Sequence, residues 1–228
     1  MTIKEQEDKL FAEWKAHRNH FVADGVADEN LYLESGKGGG KKILFIMKEV
    51  NDPEGGGWDL REVMREGKRS ATWDNIARWT LGIRNLDRDI SWKELNEKML
   101  LGSKKEAIRS VAAMNLKKSP GGSATDKALM EKIAREDMDF LERQFEIYDP
   151  DIVICCGVDV SNLAHTCIKK LSHPRWKATS RGVPYHELGT PQKTLISYSH
   201  PEARVSDNLL YYGLIDAIRE IYQEKSGG

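Results

Sequence analysis

Three apolar runs and one ambiguous run in this 228-residue chain end on residues that could do chemistry. KILFIM (42–47) passes into Lys48, Glu49 and Asn51, and AAMN closes on Asn115 with Lys117 and Lys118 just beyond. DIVICC leads into Gly157, and TLISYS (194–199) delivers His200, Pro201 and Arg204. A carboxylate, a carboxamide, an imidazole and an arginine form a working set if they share one rim. The carboxylate can orient water or face a developing positive charge. An imidazole N–H can meet the negative charge growing at the other end of a breaking bond.

Whether they share a rim depends on the elements that carry them. The runs at 42–47, 151–157 and 194–199 are short, apolar and followed by loop residues, so they read as buried strands. AIRSVAAMNL (107–116) is ambiguous between helix and strand, with a fourth strand near 110–115. Helical spacing covers 71–83, 91–100 with Ser91 as N-cap, a long stretch from 125 or 126 to 147, 159–171 and 208–224, and a short helix fits 59–66. Strands alternating with helices imply an α/β fold, here a three-layer α/β/α domain with a central four-stranded parallel sheet. Sites in such sheets form outside the carboxyl ends of the strands, which selects the loops 48–58, 116–123, 157–161 and 200–206. Residues 3–22 repeat apolar side chains at near-helical spacing. Residues 1–35 are therefore read as an N-terminal helical extension and 36–228 as the main domain.

Composition narrows the classes. Charged residues make up 31%, the net charge is −1 and the mean hydropathy is −0.58, as expected of a well-solvated surface. No apolar stretch reaches the roughly 18–20 residues that span a bilayer, and the charged opening lacks the apolar centre of a signal peptide, so a cytoplasmic protein is expected. Three cysteines suit a reducing compartment. Cys155 and Cys156 are adjacent and face opposite sides of a strand, so all three cysteines read as small buried residues and no metal is expected. ESGKGGGKK (34–42) fails as a phosphate loop: the spacing is wrong, no Ser or Thr follows the lysine, and a strand comes next. The overall charge balance counts against nucleic acid. Locally, however, 160–186 holds no acidic residue but carries Lys169, Lys170, Arg175, Lys177 and Arg181 with Trp176 among them, which suits either a solvated face or a phosphate-facing edge.

Taken in order, these segments resemble the motifs of the uracil-DNA glycosylase superfamily over residues 42–220. MKEVN (47–51) stands where that family has GQDPY, GMNPG or GEAPG, and AAMNLKKSPGG (112–122) is similar to ITNVVKCRPPG. DFLERQFEIYDPDIVICCG matches a helix followed by a glycine-ended strand, and HPEAR (200–204) matches HPSP followed by Leu or Arg. The resemblance implies a monofunctional, water-mediated DNA glycosylase that hydrolyses the N-glycosidic bond of uracil or another deaminated base. Its partner would be single- or double-stranded DNA, and a monomer with no cofactor is expected. Glu49 would position water and face the sugar's positive charge, and His200 would donate to the departing base. Asn115 would read the base's pairing edge. Asn51 would join it in the pocket, and Trp58 or Trp73 would supply an aromatic floor. Arg204 would enter the gap left by the flipped nucleotide. Lys117, Lys118, Gly157, Lys177 and Arg181 would meet the DNA backbone. Extrusion is required because a duplex hides its bases, at a cost of a few kcal/mol.

The chain also departs from the family pattern. Met47 replaces the first motif's glycine, Val50 replaces its proline, Glu49 is one methylene longer than aspartate, and Val158 replaces a serine. The iron–sulfur cysteines of one branch are absent. Two alternatives follow: a catalytically inactive nucleic-acid-binding protein of the same fold, and an unrelated nucleotide-handling α/β protein.

Overall fold

A computed structural model of the chain describes residues 1–226 except 53–54, 69, 123–125 and 173–174. In chain order the elements are α1 (Ile3–Lys15), β1 (Gly25–Val26), α2 (Glu29–Glu34), β2 (Ile43–Met47), α3 (Leu60–Glu66), α4 (Ala71–Ile83), α5 (Trp92–Lys98), α6 (Lys104–Arg109) and β3 (Ala112–Asn115). They continue with α7 (Lys127–Glu136), α8 (Met138–Tyr148), β4 (Ile152–Cys156), α9 (Val158–Cys167), β5 (Lys177–Ala178), β6 (Pro184–Leu188), β7 (Thr190–Tyr198) and α10 (Asp207–Ser226).

Among the described residues the strands form one sheet of seven, in the order β1-β3-β2-β4-β7-β6-β5. β3, β2, β4 and β7 are parallel neighbours, while β1 on one side and β6 and β5 on the other run antiparallel. The expected sheet of four parallel strands is therefore corrected. Those four strands are the middle of a seven-stranded mixed sheet. The three added strands escaped because β1 and β5 are two residues long and β6, PYHEL, has no apolar run.

Alternation along the strands sorts side chains to two faces. Ile43, Phe45, Met47, Ile152, Ile154 and Ile196 pack with α3, α4, α6 and α10, whereas Leu44, Ile46, Val153, Cys155 and Leu195 pack with α1, α8 and α9. Both faces of the sheet are thus covered, which is why the central strands are apolar throughout. Cys155, Cys156 and Cys167 are all buried thiols. The opening segment contributes Leu10, Phe11 and Trp14 to the second face, and β1 joins the sheet beside β3.

This order sets the site. β2 connects leftward to β3 and β4 connects rightward to β7, so the carboxyl ends of β2 and β4 form a topological switch point where a crevice opens. Two local devices shape it. The chain after β2 and the chain after β3 stay zipped beyond the sheet: the N–H groups of Leu116 and Lys117 donate to the carbonyls of Met47 and Lys48, and Gly121 N–H donates to Val50 O at 2.9 Å. Beyond β4, Gly157 takes φ 123°, which side chains disfavour, and its N–H donates to Tyr198 O at 2.7 Å. That bond ties the end of β4 to the end of β7, just before His200.

Candidate active site

At the switch point lies a cleft of about 540 Å³ whose walls include Glu49, Asn51, Trp58, Trp73, Asn115 and His200. Residues from four separate stretches of sequence meet there. Lys48, Ser70, Thr72 and Glu202 line it as well.

Glu49 sits at the back of the loop after β2. Its carboxylate is paired with the Lys117 ammonium, which also donates to Pro120 O at 3.0 Å, and both side chains are more than nine-tenths buried. The carboxylate presses on the backbone of Gly121: a Cβ there would stand 2.3–2.5 Å from the Glu49 carboxyl atoms. Glycine at 121 is what lets the acid occupy this position.

His200 begins the turn after β7. Its Nδ1 accepts the Glu202 N–H at 3.0 Å, so in the neutral ring the proton resides on Nε2. Burial lowers its pKa, Glu202 opposes that shift and Lys48 adds to it, leaving a neutral imidazole with one N–H to offer. The turn is braced by α4. Asn75 Nδ2 donates to Pro201 O at 2.8 Å and to Asp207 at 2.9 Å, and the Thr72 N–H donates to Glu202 at 3.0 Å.

Asn115, the last residue of β3, is 3% exposed. Its backbone N–H and side-chain amide both donate to Asp24, at 2.7 and 3.2 Å. Trp58 is half-buried and fixed by a 2.7 Å bond from Nε1 to Asp52, whereas Trp73 is 7% exposed and packs in the core; both line the cleft. Of the two, Trp58 is the more exposed.

The residues expected at the DNA backbone fare differently. Lys118 is wholly buried, with Nζ at 2.6 Å from Asp24, and Lys117 is occupied by Glu49, so neither can meet phosphate. Both assignments are corrected. The run LKKSP looks exposed, but these two side chains turn inward to carboxylates 68 and 94 residues away in sequence. Lys177 and Arg181 are exposed but engaged, the first by Glu187 at 3.0 Å and the second by Asp216. Arg204 is exposed on the His200 loop and has no ion pair among the described residues. Gly157 lies beside the cleft, in a groove of about 300 Å³ that it shares with Lys48 and His200.

Lys48, named at the end of the first strand but given no role from the sequence, adjoins Glu49 and lines both the cleft and this groove, with Asp159 3.8 Å away. Asp24 was missed. Its signal was faint: a lone acid inside the apolar stretch FVADGVA. No protein-family model matches the chain, and no curated protein matches it.

Proposed function

We propose that this chain hydrolyses the N-glycosidic bond of uracil or another deaminated base in DNA, by attack of water and without a covalent intermediate. One observation carries the reading: Glu49, Asn115 and His200, from three separate loops, line one cleft together with Trp58. Each has a task that its surroundings suit.

Breaking the bond builds positive charge on the sugar and negative charge on the base. Glu49, held by Lys117, offers a fixed carboxylate to the sugar and to the attacking water. His200, neutral and with its proton on Nε2, donates to the oxygen of the departing base. Asn115 meets the pairing edge, and Trp58 supplies the surface on which an extruded base stacks. With Lys117 and Lys118 turned inward, Lys48 and the Gly157 groove are the nearest partners for a flanking phosphate, and Arg204 remains free to enter the duplex.

The test is a panel of oligonucleotides, single- and double-stranded, each carrying one uracil or one hypoxanthine. Free base is read by mass spectrometry and abasic sites by alkaline cleavage. Base release that is lost in Glu49→Gln and His200→Ala supports the proposal. DNA binding with every substrate intact would instead favour a binding protein of this fold, and binding of free nucleotides but not DNA would favour a nucleotide-handling protein.

A further inference from the structure

The cleft does not end at Gly157. The groove beside it adjoins a second pocket of about 260 Å³ between α7 and α9. Lys48 lines the cleft, the groove and this pocket, and Asp159 lines the groove and the pocket, so the three form one track. The chemistry of the cleft makes no use of its far end.

The pocket has an apolar floor and a cationic rim. Met130 of α7 and Val160 of α9 are buried in the core beneath it, and half-buried Leu163 packs beside them. On the rim, Lys127 meets Asp159 at 2.8 Å, and the same carboxylate also serves Lys48 at 3.8 Å. One negative charge is thus shared by two ammonium groups. Arg135 is matched by Glu131 at 2.8 Å. Lys48, Lys127 and Arg135 stand against Glu131 and Asp159, an excess of one positive charge. Lys127 keeps 76% of its side chain exposed, within reach of an incoming anion.

This alternation matches the repeat of a nucleic-acid strand. A base in the cleft, a phosphate at Lys48 and a further nucleotide over the apolar floor follow one another in the order that the track provides. Grooves for single strands combine cations along the backbone with surfaces that take the faces of bases, whatever their sequence. Such a strand suits this track better than a duplex does. In a duplex, one nucleotide must be extruded to fill the cleft, and a second in the pocket repeats that unfavourable opening. A single strand has no pairing to lose.

We infer that the pocket between α7 and α9 is a subsite for the nucleotide next to the one in the cleft, which makes single-stranded DNA the preferred substrate. The identity of the base in the cleft rests on the glycosylase reading, whereas occupancy of the pocket is measured without base release. The probe is a short single strand carrying one 2′-fluoro-deoxyuridine, whose fluorine disfavours positive charge on the sugar and so preserves the bond. A photoreactive thymine analogue is placed on either side of it in turn. With wild-type protein, one of the two placements should cross-link to a peptide from 127–135 or 158–166, identified by mass spectrometry. Cross-links found only outside these stretches overturn the subsite.

Affinity supplies the second measurement. Lys127→Glu should weaken binding of this strand by about tenfold or more, and binding of the matching duplex by less. Lys132→Glu makes the same change of charge on α7 at a residue outside the pocket, and it should leave single-strand affinity within about threefold. Equal losses in the two variants, or no loss in either, overturn the subsite. If Lys127→Glu does not fold, the wild-type cross-link still decides. Protein that cross-links in the pocket yet releases no base from any strand keeps the subsite and removes the glycosylase reading alone. Protein that releases base but gives neither signal loses the subsite alone, and protein that binds no strand loses both.

Discussion

Substituting Gly121 by alanine should disarm Glu49 without touching it. The added Cβ would stand 2.3 Å from Glu49 Cδ and 2.4 and 2.5 Å from its oxygens. Ordinary contact distances begin near 3.5 Å, so the carboxylate must shift by about 1 Å. The obstacle is the tip of a flexible side chain, and alanine keeps both backbone bonds of position 121, to Val50 O at 2.9 Å and from Asp52 N–H at 3.0 Å. The fold should therefore survive with a loss of about 1–3 kcal/mol from the disturbed Glu49–Lys117 pair. A displacement of about 1 Å in a reacting group can cost about a hundredfold in rate, or about 2.7 kcal/mol of barrier. Single-turnover base release should fall by about that factor, and Glu49→Gln should fall by about 10²–10⁴. Because both changes remove the same group, the double variant should be no worse than Glu49→Gln alone within a fewfold. Gly121→Ala activity within threefold of wild type, or losses that simply multiply in the double variant, would refute the reasoning.

Other outcomes follow from the same geometry. The lowered pKa of His200 means that activity should hold as pH falls from 8 past 6.5 before it drops; a pH–rate profile with its acid limb above 6.5 would contradict this. His200→Ala should lower the rate by about 10²–10³ at every pH. Burial raises the pKa of Glu7 to about 7, and the Arg61 guanidinium at 2.6 Å offsets only part of that rise. The contribution of a raised carboxyl is fully present below pH 4.5 and is lost as pH rises through 7. Glu7→Gln should therefore gain roughly 3 kcal/mol relative to wild type between pH 4.5 and pH 8 in urea titrations, and parallel stability curves would exclude it. Trp73→Ala should destabilise by about 3–5 kcal/mol as a core truncation, whereas Trp58→Ala should raise KM with a smaller loss of stability.

How much of this was legible depended on whether the cause was local. ILFIM, IVICC and the end of β7 announce themselves because strands buried on both faces must be apolar throughout. α4 was found at 71–83, and Ser91 caps α5 by accepting the Glu94 N–H at 3.2 Å. The ambiguous 107–116 resolves into the end of α6 and then β3, two elements too short for either period to show. The expected helix to 147 breaks into α7 and α8 at Asp137, a buried acid held by Arg18 at 2.8 Å. The expected opening helix stops at Lys15, and His20 takes φ 54°. Neither event has a nearby cause in the sequence.

The site divides in the same way. Glu49, Asn115 and His200 could be named because each follows a strand, and the chain order of the strands implies where their ends meet. Lys117 and Lys118 could not be placed, because lysines read as solvated until a distant carboxylate is known to wait for them. Asp24 and Glu49 are those carboxylates, and only the folded chain brings them near.

The central claim is that one cleft, built by these loops, breaks the bond between a base and its sugar with water. The most direct measurement is a single-turnover reaction in ¹⁸O-labelled water, with enzyme in excess over an oligonucleotide bearing one uracil. The account predicts free uracil, ¹⁸O at C1′ of the abasic sugar, and a rate at least a hundredfold lower in Glu49→Gln. Well-folded protein that leaves the uracil in place through a prolonged incubation would contradict it.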